Sequence, residues 1–338
     1  MACPGLARII GAMHLIIPFA APASEAGLAA LRELEAPHLQ SLLARLGTPE
    51  RALGDELSLS PPHERVLAQA SGWGDVPDGL VPLAAQRALA LGLTAAARDH
   101  EGSAAGGWGF LTPAHWSLGT DQVSLLDPAL LNLGEAESLD FLQAVSELFT
   151  SEGFELHADG PGRWLCRHTS LAGLPTASLD RVLGRNVDRW LEPDPRARLV
   201  RRLQNEVQML LHDHALNEAR AVRGELPLNS VWLSGTGTLP CAPPACPGTE
   251  VGLDESLRHA AVNEDWAGWL QAFAQLDAGS IQDWQARHGS HPAARLTLCG
   301  ERGSATWRPA PRSGFGAWRE RLGWMPRPLR LSAVLEGL

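Results

Sequence analysis

The chain has 338 residues, 45% of them hydrophobic, and a formal net charge of −10 from 28 cations against 38 carboxylates. That length and apolar content can bury a sizeable core in one large or two modest domains, and the acidic balance without a basic block leaves no charge footprint for nucleic acid. Lysine and tyrosine are absent, so every cation is an arginine. Lysine Schiff-base chemistry and a Walker-type phosphate loop are thereby excluded, and any anion must be held by arginine, histidine, backbone N–H groups or a metal.

At the N-terminal end, Arg8 and the apolar run 9–23 imitate a signal peptide ending in Ala-Pro-Ala, but His14 and Pro18 interrupt the run. A first core strand over 14–19 is expected instead. No run is long enough for a membrane span, so the expected location is cytoplasmic. An amphipathic helix follows over 24–46, broken near Pro37. A second helix begins after Ser60, whose hydroxyl suits an N-cap in front of Pro61.

The Gly- and Ala-rich stretch 98–107 marks a boundary. Beyond it, 108–116 and 121–126 read as paired strands, 135–151 as a helix, and 154–157 with 163–167 as a hairpin around Asp159-Gly160. From about 188 the helix and strand alternation of an α/β core resumes. Residues 240–248 form a Pro-rich loop, 265–276 and 280–288 read as helices, and 294–299 and 305–308 as strands. The five cysteines, Cys3, Cys166, Cys241, Cys246 and Cys299, form no C-x-x-C pair and read as reduced structural thiols. Cys241 and Cys246 could also close a small loop disulfide.

The most informative stretch is 199–237. Leu199, Leu203, Val207 and Leu210 make a helical apolar stripe, the helix stops near Gly224 and Pro227, and Ser230-Val231-Trp232-Leu233 reads as a buried strand before Gly235-Thr236-Gly237. His212 and His214 lie about 200° apart on such a helix and cannot share one ion. They suit its negative C-terminal end.

The pattern Asn217-x-x-Arg220-x-x-x-Gly224-x-x-Pro227-x-Asn229, followed by a strand and Gly235-x-Gly237, resembles a segment of the archaeal-type, cofactor-independent phosphoglycerate mutases. It is closer still to a bacterial branch described as RpfE-type regulatory proteins. The likeness extends upstream through 179–187 and through Gly162-Arg163-Trp164-Leu165. It implies an α/β fold with an alkaline-phosphatase-like core, 1–105 and 188–338, and an inserted smaller α+β domain, 106–187.

Mutases of this type use two divalent metals, held by Asp and His, to activate a Ser that takes up the phosphoryl group. The family's first strand ends in Asp-Gly, whereas this one ends Ile17-Pro18-Phe19-Ala20. The imidazole of its A-G-H motif corresponds to Trp269, and its Asp-His strand end corresponds to Cys299-Gly300. No metal or other cofactor is therefore expected. Ser60 lies where the nucleophile would fall, with Pro61 in place of the following Asp, so Ser60 is a helix cap or a nucleophile with His63 as its one evident activator.

Two readings follow from the resemblance. One is a non-catalytic or regulatory protein that keeps an anion-binding cleft built from Arg163, Asn217, Arg220, Asn229, Gly235 and Gly237 and takes a small phosphorylated or carboxylated metabolite. The other is an active mutase or related phosphoryl-transfer enzyme with replacement ligands among His259, Asp265, Asp277 and Glu301. His115 either faces the cleft or packs. The C-terminal tryptophans 266, 269, 284, 307, 318 and 324 are expected mostly in the core; if several were exposed they would form a protein-binding patch.

Overall fold

The computed structural model describes residues 13–93, 106–120, 122–191, 194–239, 250–309 and 330–338. The chain divides into two compact units. The first comprises Met1–Leu57, Pro61–Gly74 and Pro243–Leu338, and the second Ser58–Ser60 and Asp75–Ala242.

In the first unit, strand β1 (His14–Ala21) leads to helix α1 (Glu25–Glu33), capped by the Ser24 hydroxyl accepting from Gly27 N at 3.2 Å. The expected break at Pro37 separates α1 from α2 (Pro37–Leu43), because proline fits a first helical turn and not a helix interior. Strand β2 (Glu50–Leu53) and helix α3 (Pro62–Ala70) complete the first passage through this unit.

The second unit runs through α4 (Leu83–Ala90), β3 (Gly107–Ala114), β4 (Trp116–Leu118), β5 (Val123–Leu125), α5 (Glu135–Thr150), β6 (Glu155–Ala158) and β7 (Trp164–His168). It continues with the short α6 (Leu179–Val182), then α7 (Arg198–His212), α8 (Ala215–Arg223) and β8 (Ser230–Gly237). The chain then returns to the first unit as β9 (Val251–Leu253), α9 (Arg258–Val262), α10 (Trp266–Leu276), a π-turn at Asp277–Ile281 and α11 (Gln282–His288). It ends in β10 (Arg295–Gly300), β11 (Gly303–Trp307) and α12 (Leu331–Leu335).

The sheet of the first unit has the order β2-β11-β10-β1-β9. Strand β1 lies parallel to both β9 and β10, while β10–β11 and β11–β2 are antiparallel. Side chains alternate across the sheet, so Leu15, Ile17, Leu296 and Leu298 join a core with α1, α2, α10, α11 and α12, and Ile16 and Cys299 meet Val66 of α3 on the other face. Burial on both faces explains why Leu15, Ile16 and Ile17 of β1 are consecutive apolar residues without polar alternation. In the second unit an antiparallel sheet, β6-β7-β3-β8, packs Leu111, Trp164, Val231 and Leu233 against α5 and α7 and turns Trp108 and Leu165 toward α4.

The α/β class and most elements follow the sequence reading. The expected domain boundaries do not: α7, α8 and β8 belong to the second unit because β8 hydrogen-bonds to β3, so that unit takes about half of the chain and is not the smaller one. Strand β3 pairs with β7 and β8, while β4 pairs with β5. The long helix read from Leu199 breaks at Asp213, and His214 Nδ1 accepts from Leu216 N at 3.3 Å as the N-cap of α8. His214 therefore begins a helix and does not finish one. The 240–248 loop with Cys241 and Cys246, together with Cys3, Trp318 and Trp324, lies outside the described residues.

His14 is buried in the first sheet, its Nε2 2.8 Å from Thr297 Oγ1, and Thr297 in turn lies 2.8 Å from Thr306 Oγ1. Desolvation, with smaller contributions from the Arg295 and Arg308 charges, pushes its pKa down to about 4. A histidine whose folded pKa lies below its unfolded value of about 6.5 binds more protons when unfolded, so stability is constant above that value and falls as pH drops from there to about 4. The loss amounts to about 3 kcal/mol. Urea titrations between pH 7 and 4 should give a steeper decline for the natural chain than for His14→Gln; parallel profiles would refute the assignment.

Candidate functional site

The residues that carry the family resemblance in 217–229 form a structural knot. Gly224 takes the left-handed conformation (φ 72°) as C-cap of α8, and the chain doubles back toward β8. Asn217 spans this bend, donating to Leu211 O at 2.8 Å and Leu228 O at 2.7 Å and accepting from Leu228 N at 2.9 Å. Asn229 accepts from Trp116 N at 2.7 Å and donates to Trp116 O at 3.0 Å, imitating one more residue of a β-ladder.

Arg220 is fully buried. Its Nε donates to Leu226 O at 2.6 Å, one terminal nitrogen to Glu137 at 2.7 Å, and the other to Leu131 O. Glu225 lies 3.4 Å from the same guanidinium, and Arg223 bridges Glu137 and Glu225 from the surface. A guanidinium has five donors in a rigid fork, and here the protein itself supplies acceptors on all three nitrogens. This corrects the expectation that Arg220 grips a ligand, since its cost of burial is balanced by these internal partners. His115, whose Nδ1 lies 2.8 Å from Pro227 O, belongs to the same connection.

Gly235 and Gly237 are expected to line an anion-binding cleft. The stretch 235–237 is instead a bulge where the β3–β8 register shifts, with Gly235 at φ 61°. A Cβ at Gly235 would lie 3.0 Å from the Phe110 ring, so a side chain there would be strained and crowded. Thr236 is buried, donating to Leu174 O at 2.6 Å.

Ser60 is buried, and its Oγ accepts from Gly79 N at 2.9 Å while Asp78 accepts from the backbone N–H groups of Leu59 and Ser60. It is not the cap of α3, which starts at Pro62 behind Pro61 without a side-chain cap. His63 is also buried, its ring 5.6 Å from that of Phe19.

The replacement metal ligands are dispersed. His259 is exposed on α9 beside Asn263, Asp265 caps α10 by accepting from Gly268 N at 2.9 Å, and Glu301 lies in the β10–β11 turn. Asp277 is buried, accepting from His38 N at 3.0 Å and Leu39 N at 2.7 Å to cap α2, which has no cap of its own. Among the described residues no three His, Cys, Asp or Glu side chains are placed to hold a metal.

The carboxyl ends of parallel strands are where α/β proteins place ligands. At the end of β1, Phe19 adopts φ 57°, rare for a bulky residue, and its carbonyl accepts from Trp269 Nε1 at 2.9 Å. At the end of β10, Cys299 is fully buried and desolvation raises its thiol pKa, which disfavours the thiolate a metal requires. Asp254, just beyond β9, contributes a buried carboxylate that the sequence reading missed; it accepts from Ser256 N at 3.1 Å. One carboxylate amid Phe19, Trp269 and Cys299 does not fit a two-metal centre. Trp269, Trp284 and Trp307 are buried and Trp266 is half-buried, so the described C-terminal tryptophans build core.

Of the two arginines expected to bind an anion, Arg163 is the one that stays partly exposed. It and Arg87 of α4 both clasp Asp159: Arg87 Nε donates at 2.9 Å and Arg163 Nε at 2.8 Å. The Arg163 guanidinium stands 4.5 Å from the Phe110 ring centroid. Each arginine side chain is 43% exposed and the Asp159 side chain 2%. Burial alone would raise the Asp159 pKa, but the hydrogen bonds and charges of Arg87 and Arg163 outweigh it and hold the carboxyl below its ordinary range. Two cations on one carboxylate leave a surplus positive charge beside an aromatic ring. The sequence marked Asp159 as a turn and gave no sign of Arg87, its partner 72 residues away.

No family model and no curated relative matches the chain. Among solved structures it is similar to a cofactor-independent phosphoglycerate mutase from Thermoplasma acidophilum, with 14% identity over 87% of this chain and 88% of that one and a TM-score of 0.35. It is also similar to the PH0037 protein from Pyrococcus horikoshii, with 14% identity over 87% of this chain and 86% of that one and a TM-score of 0.40.

Removing Arg220 would strand Leu131 O and Leu226 O around an empty core position and leave Glu137 to Arg223 alone. Arg220→Ala should destabilise the second unit by about 3–5 kcal/mol, and Arg220→Lys should recover little, because an ammonium cannot reproduce the planar fork. Denaturant titration of both variants reads this out; a cost under about 1 kcal/mol for Arg220→Ala would show that the knot is dispensable.

Proposed function

We propose that the chain is a phosphoglycerate-mutase-like protein of the RpfE-type regulatory branch that has lost its metal site and acts without catalysis, as a binder of a small phosphorylated or carboxylated metabolite. The observation that carries this reading is the filling of the strand ends that the family resemblance matches to metal ligands. Pro18 and Phe19, Trp269, and Cys299 with Gly300 supply ring packing and a buried thiol where carboxylate and imidazole would be needed. A Ser60 already accepting from Gly79 N, with no metal to lower the pKa of its hydroxyl, is a poor nucleophile.

The anion-receiving group in this reading is the Arg87–Asp159–Arg163 cluster. Asp159 orients both guanidinium groups in advance, which reduces the ordering cost of binding, and a phosphate or carboxylate can then bridge them.

The purified protein should carry no stoichiometric Mn or Zn and interconvert 3- and 2-phosphoglycerate at no more than background rate. Ser60→Ala should alter stability alone. Metal at one or two ions per chain, or turnover that disappears in Ser60→Ala, would make the protein an enzyme. Inorganic phosphate and 3-phosphoglycerate should raise the melting temperature, and Arg87→Ala or Arg163→Ala should each abolish that rise. Either single variant removes an arginine that is itself 43% exposed and leaves the other guanidinium on the buried Asp159 carboxylate, so the unliganded fold should persist. Anion protection that survives both substitutions would move the binding site elsewhere.

A further inference from the structure

The Arg87–Asp159–Arg163 cluster lies at the end of an open sheet edge. In the order β6-β7-β3-β8, β6 is the outer strand, and among the described residues no strand pairs with its far side. Asp159 N donates to Arg163 O at 3.0 Å, which makes 159 and 163 a hydrogen-bonded pair of the β6–β7 hairpin. Such pairs recur at every second residue of an antiparallel ladder. With His157 opposite Leu165 and Ala158 opposite Trp164, the N–H and C=O groups of Leu156 and Ala158 therefore point away from β7, along the open edge.

Side chains alternate along the same strand. His157 meets the Trp108 ring on the face that packs against α4, so Asp159, two residues on, projects to that face, where Arg87 reaches it from α4. Both guanidinium groups hold Asp159 through Nε and Nη2, at 2.9 and 2.6 Å for Arg87 and 2.8 and 2.7 Å for Arg163. The Nη1 end of each fork is thereby turned away from the carboxylate. A strand added to β6 would hydrogen-bond to Leu156 and Ala158. Its residue opposite Asp159 would then stand in a non-hydrogen-bonded pair, the closer of the two kinds, with its Cβ about 5 Å from that of Asp159 and on the side of the two arginines.

We propose that the second unit binds an extended phosphorylated peptide. Its backbone adds to β6 through Leu156 and Ala158, and a phosphoserine or phosphothreonine opposite Asp159 places its phosphate on Arg87 and Arg163. The proposal rests on the anion-binding reading of this cluster and adds the backbone that delivers the anion. An edge strand of four residues is too short to hold unmodified chains well, so the paired arginines decide which peptide stays.

Fluorescence anisotropy with a labelled short peptide of alternating threonine and valine around one central phosphoserine tests the assignment. The full-length protein should bind it about tenfold more tightly than the unphosphorylated peptide, and Arg87→Ala or Arg163→Ala should erase that difference. Ala158→Pro removes one outward N–H and no bond to β7, a change an edge strand tolerates. It should weaken the phosphopeptide about tenfold while inorganic phosphate still raises the melting temperature. Methylating the peptide's backbone nitrogens on either side of the phosphoserine should weaken binding to the natural chain in the same way. A phosphopeptide that binds no better than its unphosphorylated form, or that is indifferent both to Ala158→Pro and to N-methylation, overturns the proposal. If phosphate protection persists in that case the small-anion reading survives, and if protection is also absent both fail.

Discussion

The second unit depends on one buried charge. Arg220 brings a full positive charge into a core where an unpaired ion would cost several kcal/mol, and its position is tolerable because three chain segments converge on it. Leu131 O comes from the turn before α5, Glu137 from the first turn of α5, and Leu226 O from the link between α8 and β8. Each of these groups needs a donor as much as Arg220 needs acceptors. The guanidinium therefore fixes where α5 begins relative to the end of α8, and Asn217 and Asn229 fix the register with which the same link enters β8.

The polar and glycine residues of this segment answer to the bend that they build. Asn, Arg, Gly, Pro and Asn at 217, 220, 224, 227 and 229 are all required by the bend itself: the helix needs a left-handed C-cap, the link needs its carbonyls and N–H groups satisfied, and β8 must start beside β3. None of these demands involves a ligand. The strand ends of the first unit face no such demand. Pro18 and Cys299 are buried there, and Trp269 contributes both a buried ring and a hydrogen bond to Phe19 O.

The fold was legible wherever a local rule governed it. The apolar run of β1, the Pro37 break and the Asp159-Gly160 turn were each visible because their causes lie within a few residues. What the sequence concealed was long-range. That β8 pairs with β3 moved a whole domain boundary, since period-2 patterning identifies a strand without naming its neighbour. Asp277 read as a spare carboxylate until α2 supplied the two N–H groups it caps. Arg220 and Arg163 had equal standing in sequence, and only burial separates the arginine that holds the chain together from the one that still meets solvent.

That separation also limits where binding can evolve. A buried side chain whose three nitrogens are each bonded inside the protein cannot be recruited for a ligand without disturbing its surroundings, so Arg220 serves the fold. Arg163 is different, because Asp159 has a second partner in Arg87 and the guanidinium keeps an exposed edge over Phe110. Sharing one carboxylate between two cations leaves each arginine individually replaceable, and it keeps both side chains aligned in the absence of ligand. Surplus charge, prior alignment and a stable fold when one member is lost are the properties a binding site needs in order to change its ligand, and the described part of the chain combines them at Arg87 and Arg163.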